Sequence, residues 1–317
     1  MRRYAILFAL VSLLLPATVF SQTRTPAAAI NLFENASKKS DKGDLDGAIE
    51  DYTRAIRLSS TFETRKASDS RLGNSFAGAG TETITVVDPF TANAYTNRGL
   101  VRFKKGDNTG AIEDFNEALR IRPSLASAYL NRAAALRAEG NLEAAVKDLD
   151  RAIALNKDFY QAFTNRGSIR LDLGDHAGAL SDLNRSIALY NREPKSFYQR
   201  GFVYLAMKDF DHCLADFNVA IRMDPNMAWA YQGRGTVLMH TGKMLEAIDD
   251  FTRALERDPR IALAYFNRGL AKVFLGEEAE AEKDFVEALR LKPELKTQLE
   301  LRVDLARHLR RLGNLKE

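Results

Sequence analysis

Cysteine is nearly missing: Cys213 is the only one in 317 residues. No intrachain disulfide can form, so covalent cross-links hold nothing together in any compartment. Histidine occurs four times (His176, His212, His240, His308), at unrelated places and without metal-ligand spacing. Nucleophile elbows, phosphate-cradling glycine loops and paired carboxylates distinct from helix-surface acids are lacking as well. No enzyme, no metal and no cofactor are therefore expected. An excess of one charge is lacking too. The formal net charge is +4, or +2 without Arg2 and Arg3, from 44 basic and 42 acidic residues. With no basic stripe carrying interleaved aromatics, nucleic acid is not an expected partner.

Long apolar runs are also scarce. The one at the N-terminus, YAILFALVSLLL, has 12 residues, too few to span a bilayer as a helix. It follows Met-Arg-Arg and is closed by Pro16. Val19-Phe20-Ser21 before Gln22 then offers small or tolerated residues at the cleavage spacing, the pattern of a secretory signal peptide over residues 1–21. The expectation is an exported protein, periplasmic or secreted, without a membrane segment after cleavage. An uncleaved anchor is the alternative. No cysteine lies near the site to carry a lipid.

What the chain has in abundance is self-similarity. AYTNRGL at Ala94 returns as AYLNRAA at Ala128 and AFTNRGS at Ala162, each time after 34 residues. With Ala92 as slot 1, new units start at Ala126, Tyr160, Pro194, Ala228 and Ala262 without slippage. Slot 4 is aromatic (Tyr95, Tyr129, Phe163, Phe197, Tyr231, Tyr265). Slot 8 is Gly or Ala, slots 20 and 27 are small, and slot 24 is Phe or Leu. Slots 4, 7, 8 and 11 form one stripe at the helical period, and slots 20, 24 and 27 form another. Glycine or lysine at slot 15 breaks the chain between the two. Each unit is thus a helical hairpin that cannot bury its apolar face alone and must stack on its neighbours.

The slot 4 aromatic, the small residues at 8, 20 and 27, the large residue at 24 and proline at slot 32 (Pro123, Pro225, Pro259, Pro293) resemble the tetratricopeptide repeat. The resemblance implies an all-α fold: a right-handed α-solenoid of seven helix-turn-helix repeats plus a C-terminal capping helix. The expected organisation is repeat 1 over 29–58, an inserted segment over 59–87, repeats 2–7 over 88–295 and the cap over 296–317. The repeats after the insertion occupy 92–125, 126–159, 160–193, 194–227, 228–261 and 262–295. The insertion reads as a loop, within which TITVV could form a strand or dock a partner. In the cap, Leu299, Val303 and Ala306 fall at slots 4, 8 and 11, continuing the frame for one helix.

Two columns depart from the family's pattern. Slot 7, usually leucine in the family, is arginine here: Arg98, Arg132, Arg166, Arg200, Arg234, Arg268 and, in the cap, Arg302. Slot 23 is aspartate throughout: Asp51, Asp114, Asp148, Asp182, Asp216, Asp250 and Asp284. A buried arginine needs a partner, so the columns form a structural ion-pair ladder. Repeat 1 has Asn35 at slot 7, and the cap has no slot 23. Joining each Asp to the Arg of the next repeat uses all seven of each, so the expected register runs between repeats.

The other stripe of the first helix lines the concave, peptide-binding groove in this family. Its slot 6 carries Asn97, Asn131, Asn165, Gln199 and Asn267, similar to the asparagine ladder in the repeats of O-GlcNAc transferases. Carboxamides both donate and accept, so such a row can read a peptide backbone. Later repeats add Tyr198, Phe202, Trp229, Phe266 and Leu270, either an apolar anchor site or packing between neighbouring first helices. The expected function is a non-catalytic scaffold that binds a protein or peptide segment in the groove. A self-assembling structural protein, and an accessory subunit of an envelope enzyme, are the alternatives.

Overall fold

The computed structural model describes residues 25–68 and 89–313 of the chain. They form helical hairpins, with no strand among the described residues. The pairs are α1 (Ala27–Asp41) with α2 (Leu45–Ser68), α3 (Pro89–Lys105) with α4 (Asn108–Ile121), and α5 (Ala126–Ala138) with α6 (Leu142–Leu155). Then come α7 (Tyr160–Asp172) and α8 (His176–Leu189), α9 (Pro194–Ala206) and α10 (Phe210–Met223), α11 (Ala228–His240) and α12 (Met244–Arg257), and α13 (Ala262–Leu275) and α14 (Glu278–Leu291). A single 3-10 turn, Pro293–Leu295, leads into α15 (Lys296–Gly313). Residues 1–21, expected to be a signal peptide, and the TITVV stretch lie outside the described residues.

The turn inside each hairpin has one chemistry. Slot 15 is left-handed every time: Gly43, Gly106, Gly140, Gly174, Gly242 and Gly276 have φ of 80 to 90°, and Lys208 has φ 59°. Only glycine takes that conformation without a steric cost. The next residue caps the second helix in four repeats, where Asp44, Asp107, Asp175 and Asp209 accept from the backbone N–H three positions on.

Slot 8 sits against slot 24 of the same hairpin. A Cβ on Gly235 would come within 2.8 Å of the Phe251 ring, and one on Gly201 within 3.0 Å of Phe217. Every phenylalanine at slot 24 thus faces glycine at slot 8, whereas in repeat 1 Ala36 packs with Tyr52. Ala133 is accommodated because its repeat has Leu149 instead, and both are fully buried.

The chain divides into two compact units, Met1–Ile169 and Arg170–Glu317. In the first, successive hairpins stack through α2 on α3 and α4 on α5; in the second, through α8 on α9, α10 on α11 and α12 on α13.

Two sequence expectations need correction. The inserted segment does not begin as a loop at Ser59, because α2 runs on to Ser68. Ser59 is buried; its Oγ donates to Ile56 O and accepts from Thr91 Oγ1 of α3 at 3.0 Å. It therefore belongs to the packed hairpin stack. The second correction concerns α15, which does not extend the stack. It lies on α13, and Leu299, Val303 and Ala306 join one apolar cluster with Phe266, Leu270 and Val273 of α13. In a regular repeat slot 6 faces the ring of the preceding second helix, as Gly233 faces Phe217. Leu301, at that slot of α15, is 70% exposed instead. The apolar flank of α13, with Phe266, Leu270 and Val273, supplies the surface that Leu299, Val303 and Ala306 bury.

Candidate functional site

The arginine and aspartate columns meet, but within repeats. Arg98 grips Asp114 through Nε and Nη2 at 3.0 and 2.6 Å. Arg132 holds Asp148 in the same way at 2.7 and 2.6 Å, Arg200 holds Asp216 at 2.7 and 2.8 Å, Arg234 holds Asp250 at 2.7 and 2.7 Å, and Arg268 holds Asp284 at 2.9 and 2.5 Å. The expected pairing between repeats is thus wrong. Asp51 is served by Lys39 of its own repeat at 2.6 Å, and Arg302 is exposed on α15. The reason is geometric. Slots 7 and 23 face each other across the hairpin that the tight slot 15 turn closes, where a planar fork meets a carboxylate edge-on.

Contact between repeats is made by the third guanidinium nitrogen. Nη1 reaches slot 25 of the preceding repeat: Arg98 to Thr53 (2.9 Å), Arg132 to Asn116 (2.6 Å), Arg166 to Asp150 (2.6 Å), Arg200 to Asn184 (2.7 Å), Arg234 to Asn218 (2.6 Å) and Arg268 to Thr252 (3.1 Å). The same guanidinium lies over the slot 4 ring of its own helix, from Arg98 on Tyr95 at 5.3 Å to Arg268 on Tyr265 at 5.6 Å. Slot 11 adds a second cation to three of the aspartates: Arg102 to Asp114 at 3.2 Å, Arg170 to Asp182 at 2.8 Å and Lys272 to Asp284 at 2.8 Å. For Arg132, Arg200 and Arg234 the carboxylate hydrogen bond raises the pKa and outweighs the desolvation that opposes it. These side chains are consumed by structure.

The carboxamide row is mostly closed as well. Asn131, Asn165 and Asn267 are buried, and Asn97 and Gln199 half-buried. Asn97 lies beside the Tyr52 hydroxyl of the preceding repeat. Asn267 Nδ2 donates to Thr236 Oγ1 of the preceding first helix at 3.3 Å. Asn131 Nδ2 finds no acceptor among the described residues, but it is enclosed, and a ligand reaches it only if the helices part. The slot 6 positions thus face the preceding repeat, Gly233 against Phe217 of α10 and Asn267 against Thr236 of α11.

The apolar candidates separate into two groups. Phe266 and Leu270 are buried in the cluster that α15 completes, which assigns both to packing. Tyr198, Phe202 and Trp229 stay half-buried on the first helices α9 and α11. Tyr198 and Phe202 meet edge to face at 5.0 Å, and Phe202 stands on Phe217 at 5.3 Å. Trp229 packs against the core of its own hairpin, α11 with α12. Rigid, half-covered aromatics fixed from below are the kind of surface that anchors a bound segment.

Family models for the tetratricopeptide repeat match residues 99–137, 130–194, 194–227 and 233–296. The chain belongs to the tetratricopeptide repeat family. A tetratricopeptide repeat protein from Parabacteroides merdae superposes with a TM-score of 0.64 at 21% identity, covering 87% of this chain and 99% of its own. The Cut9-Hcn1 hetero-tetramer of the APC/C gives 0.63 at 13% identity over 88% of this chain and 76% of that one. Pseudomonas aeruginosa pilF gives 0.56 at 20% identity over 64% and 92%. At such identities the likeness is one of fold. No curated protein sequence matches the chain. Membership supports a protein-protein interaction scaffold in general terms. Among the described residues, no helix is long and apolar enough to cross a membrane.

Proposed function

We propose that this tetratricopeptide repeat protein is a non-catalytic scaffold that binds a protein or peptide segment on the first-helix face of α9 and α11. The observation that carries the reading is the half-buried aromatic set Tyr198, Phe202 and Trp229, held on rigid helices and left uncovered by α15. Buried Asn267 contributes by joining α13 to α11 through Thr236, and contact with the ligand falls to the aromatics. The protein acts outside the cytoplasm, a reading that rests on the signal-like segment 1–21.

The test is capture of a partner from an envelope fraction by the wild type and by Tyr198→Ala/Trp229→Ala. The wild type retains a partner that the double variant loses at unchanged helicity. Equal retention by the double variant moves the binding surface elsewhere.

A further inference from the structure

α15 has two apolar faces, of which the fold uses one. Leu299, Val303 and Ala306 are buried on α13. Leu301, Leu305, Leu309 and Leu312 are 70, 55, 46 and 45% exposed. Their spacing of four, four and three places them within one 80° sector of an ideal helix, at about 100° per residue. The equivalents of Leu305 at slot 10 of repeats 2–7, Val101, Ala135, Ile169, Val203, Val237 and Ala271, are all buried. The stripe is therefore built like a contact surface.

The charges beside it decide what fits. Arg307 and Arg310 are occupied by Glu278, at 2.8 and 3.2 Å, and Arg310 also donates to Val273 O at 2.8 Å. They add little positive charge to the outward face. Asp304 and Arg311 lie on one flank of the leucines, seven residues apart, and exposed Arg302 lies on the other. An antiparallel copy of α15, with its two-fold axis level with Arg307, sets Leu305 against Leu309 and Leu301 near Leu312. The same operation brings Asp304 of each copy to Arg311 of the other, twice by symmetry. A surface complementary to itself under a two-fold axis is what an isologous dimer needs.

We propose that two copies of this chain associate through the outward face of α15, packed antiparallel. The proposal stands apart from the ligand site, because it uses no residue of α9 or α11. The helix has 18 residues, so it is about 27 Å long. One helix pair of that length falls at the small end of specific interfaces, below about 1,200 Å² in total, which makes a weak, concentration-dependent dimer the expectation.

Light scattering and sedimentation on the folded protein, from about 1 μM to about 1 mM, test this over the range where weak dimers form. The wild type passes from monomer to dimer. Leu301→Glu/Leu305→Glu stays monomeric with unchanged helicity, since both side chains are exposed. Asp304→Arg weakens the dimer, and Asp304→Arg/Arg311→Asp restores it. A wild type that stays monomeric throughout, or a dimer indifferent to the leucine substitutions, overturns the proposal. So does a wild type that remains monomeric and binds phosphatidylglycerol vesicles through the same leucines, which would make the stripe a lipid-facing surface.

Discussion

Arg234 holds Asp250, sixteen residues ahead, with two nitrogens at 2.7 Å each, and Asn218, sixteen residues behind, with the third at 2.6 Å. One side chain thus closes its own hairpin and joins it to the one before. Asp250 is 3% exposed as a side chain and Arg234 21%. Removing one member strands a charge, at roughly 3–5 kcal/mol for a fully buried pair, so about 2–3 kcal/mol is expected for Arg234→Ala. The double variant Arg234→Leu/Asp250→Leu recovers much of that loss in urea unfolding. Arg234→Leu/Asp216→Leu does not recover it, because Asp250 and Arg200 are then both left alone.

The slot 8 and slot 24 rule predicts a compensating pair. Gly235→Ala drives a methyl group into the Phe251 ring and costs about 1–3 kcal/mol through overpacking. Gly235→Ala/Phe251→Leu reproduces the Ala133 and Leu149 arrangement already present in this chain. It unfolds later than Gly235→Ala alone. Equal midpoints for the two variants would show that the clash relaxes elsewhere.

Lys208 is the one non-glycine residue described in the left-handed region. Lys208→Gly removes a steric cost of about 1–2 kcal/mol and adds unfolded-chain entropy, for a net gain of roughly 0.5–1 kcal/mol. A raised thermal midpoint with unchanged helicity is the expected result, and a lowered one contradicts it.

Alkaline pH loosens the fold through two buried acids. Burial pushes the Cys213 thiol from 9.0 up to about 12, and the Tyr52 hydroxyl from 10.0 up to about 12. Both are raised, so the native state favours the protonated forms. Their contribution is complete below pH 9, falls as the unfolded groups ionise, and is gone above about 12. Cys213→Ala flattens the part of the decline that begins near pH 9. Alkylation of Cys213 at pH 8 is slow in the native protein and fast in denaturant.

The period of 34 residues makes the hairpins legible, because each slot repeats the same packing problem. It also brings out the aspartate and arginine columns. Those two columns, followed to the chain ends, point to the wrong register. A third, slot 25, carries Thr53, Asn116, Asp150, Asn184, Asn218 and Thr252, each able to accept a hydrogen bond, and then Val286. The acceptor disappears where the stacking of first helices ends. That change signals both the missing contact to Arg302 and the diversion of α15. Phe266 and Leu270 could be read as ligand anchors or as packing, because periodicity assigns a residue to a face without saying what the chain later lays on that face.

The guanidinium arrangement also gives the molecule a direction. A repeat that folds without its successor exposes only a neutral or hydrated slot 25 side chain, which water satisfies. A repeat that folds without its predecessor leaves an Nη1 donor on an open face, where water stands in for the acceptor. During synthesis the predecessor always emerges first, so each new arginine meets an acceptor already in place. Assembly from the N-terminus, one hairpin at a time, is the order in which each arginine trades water for its slot 25 acceptor as soon as its hairpin closes.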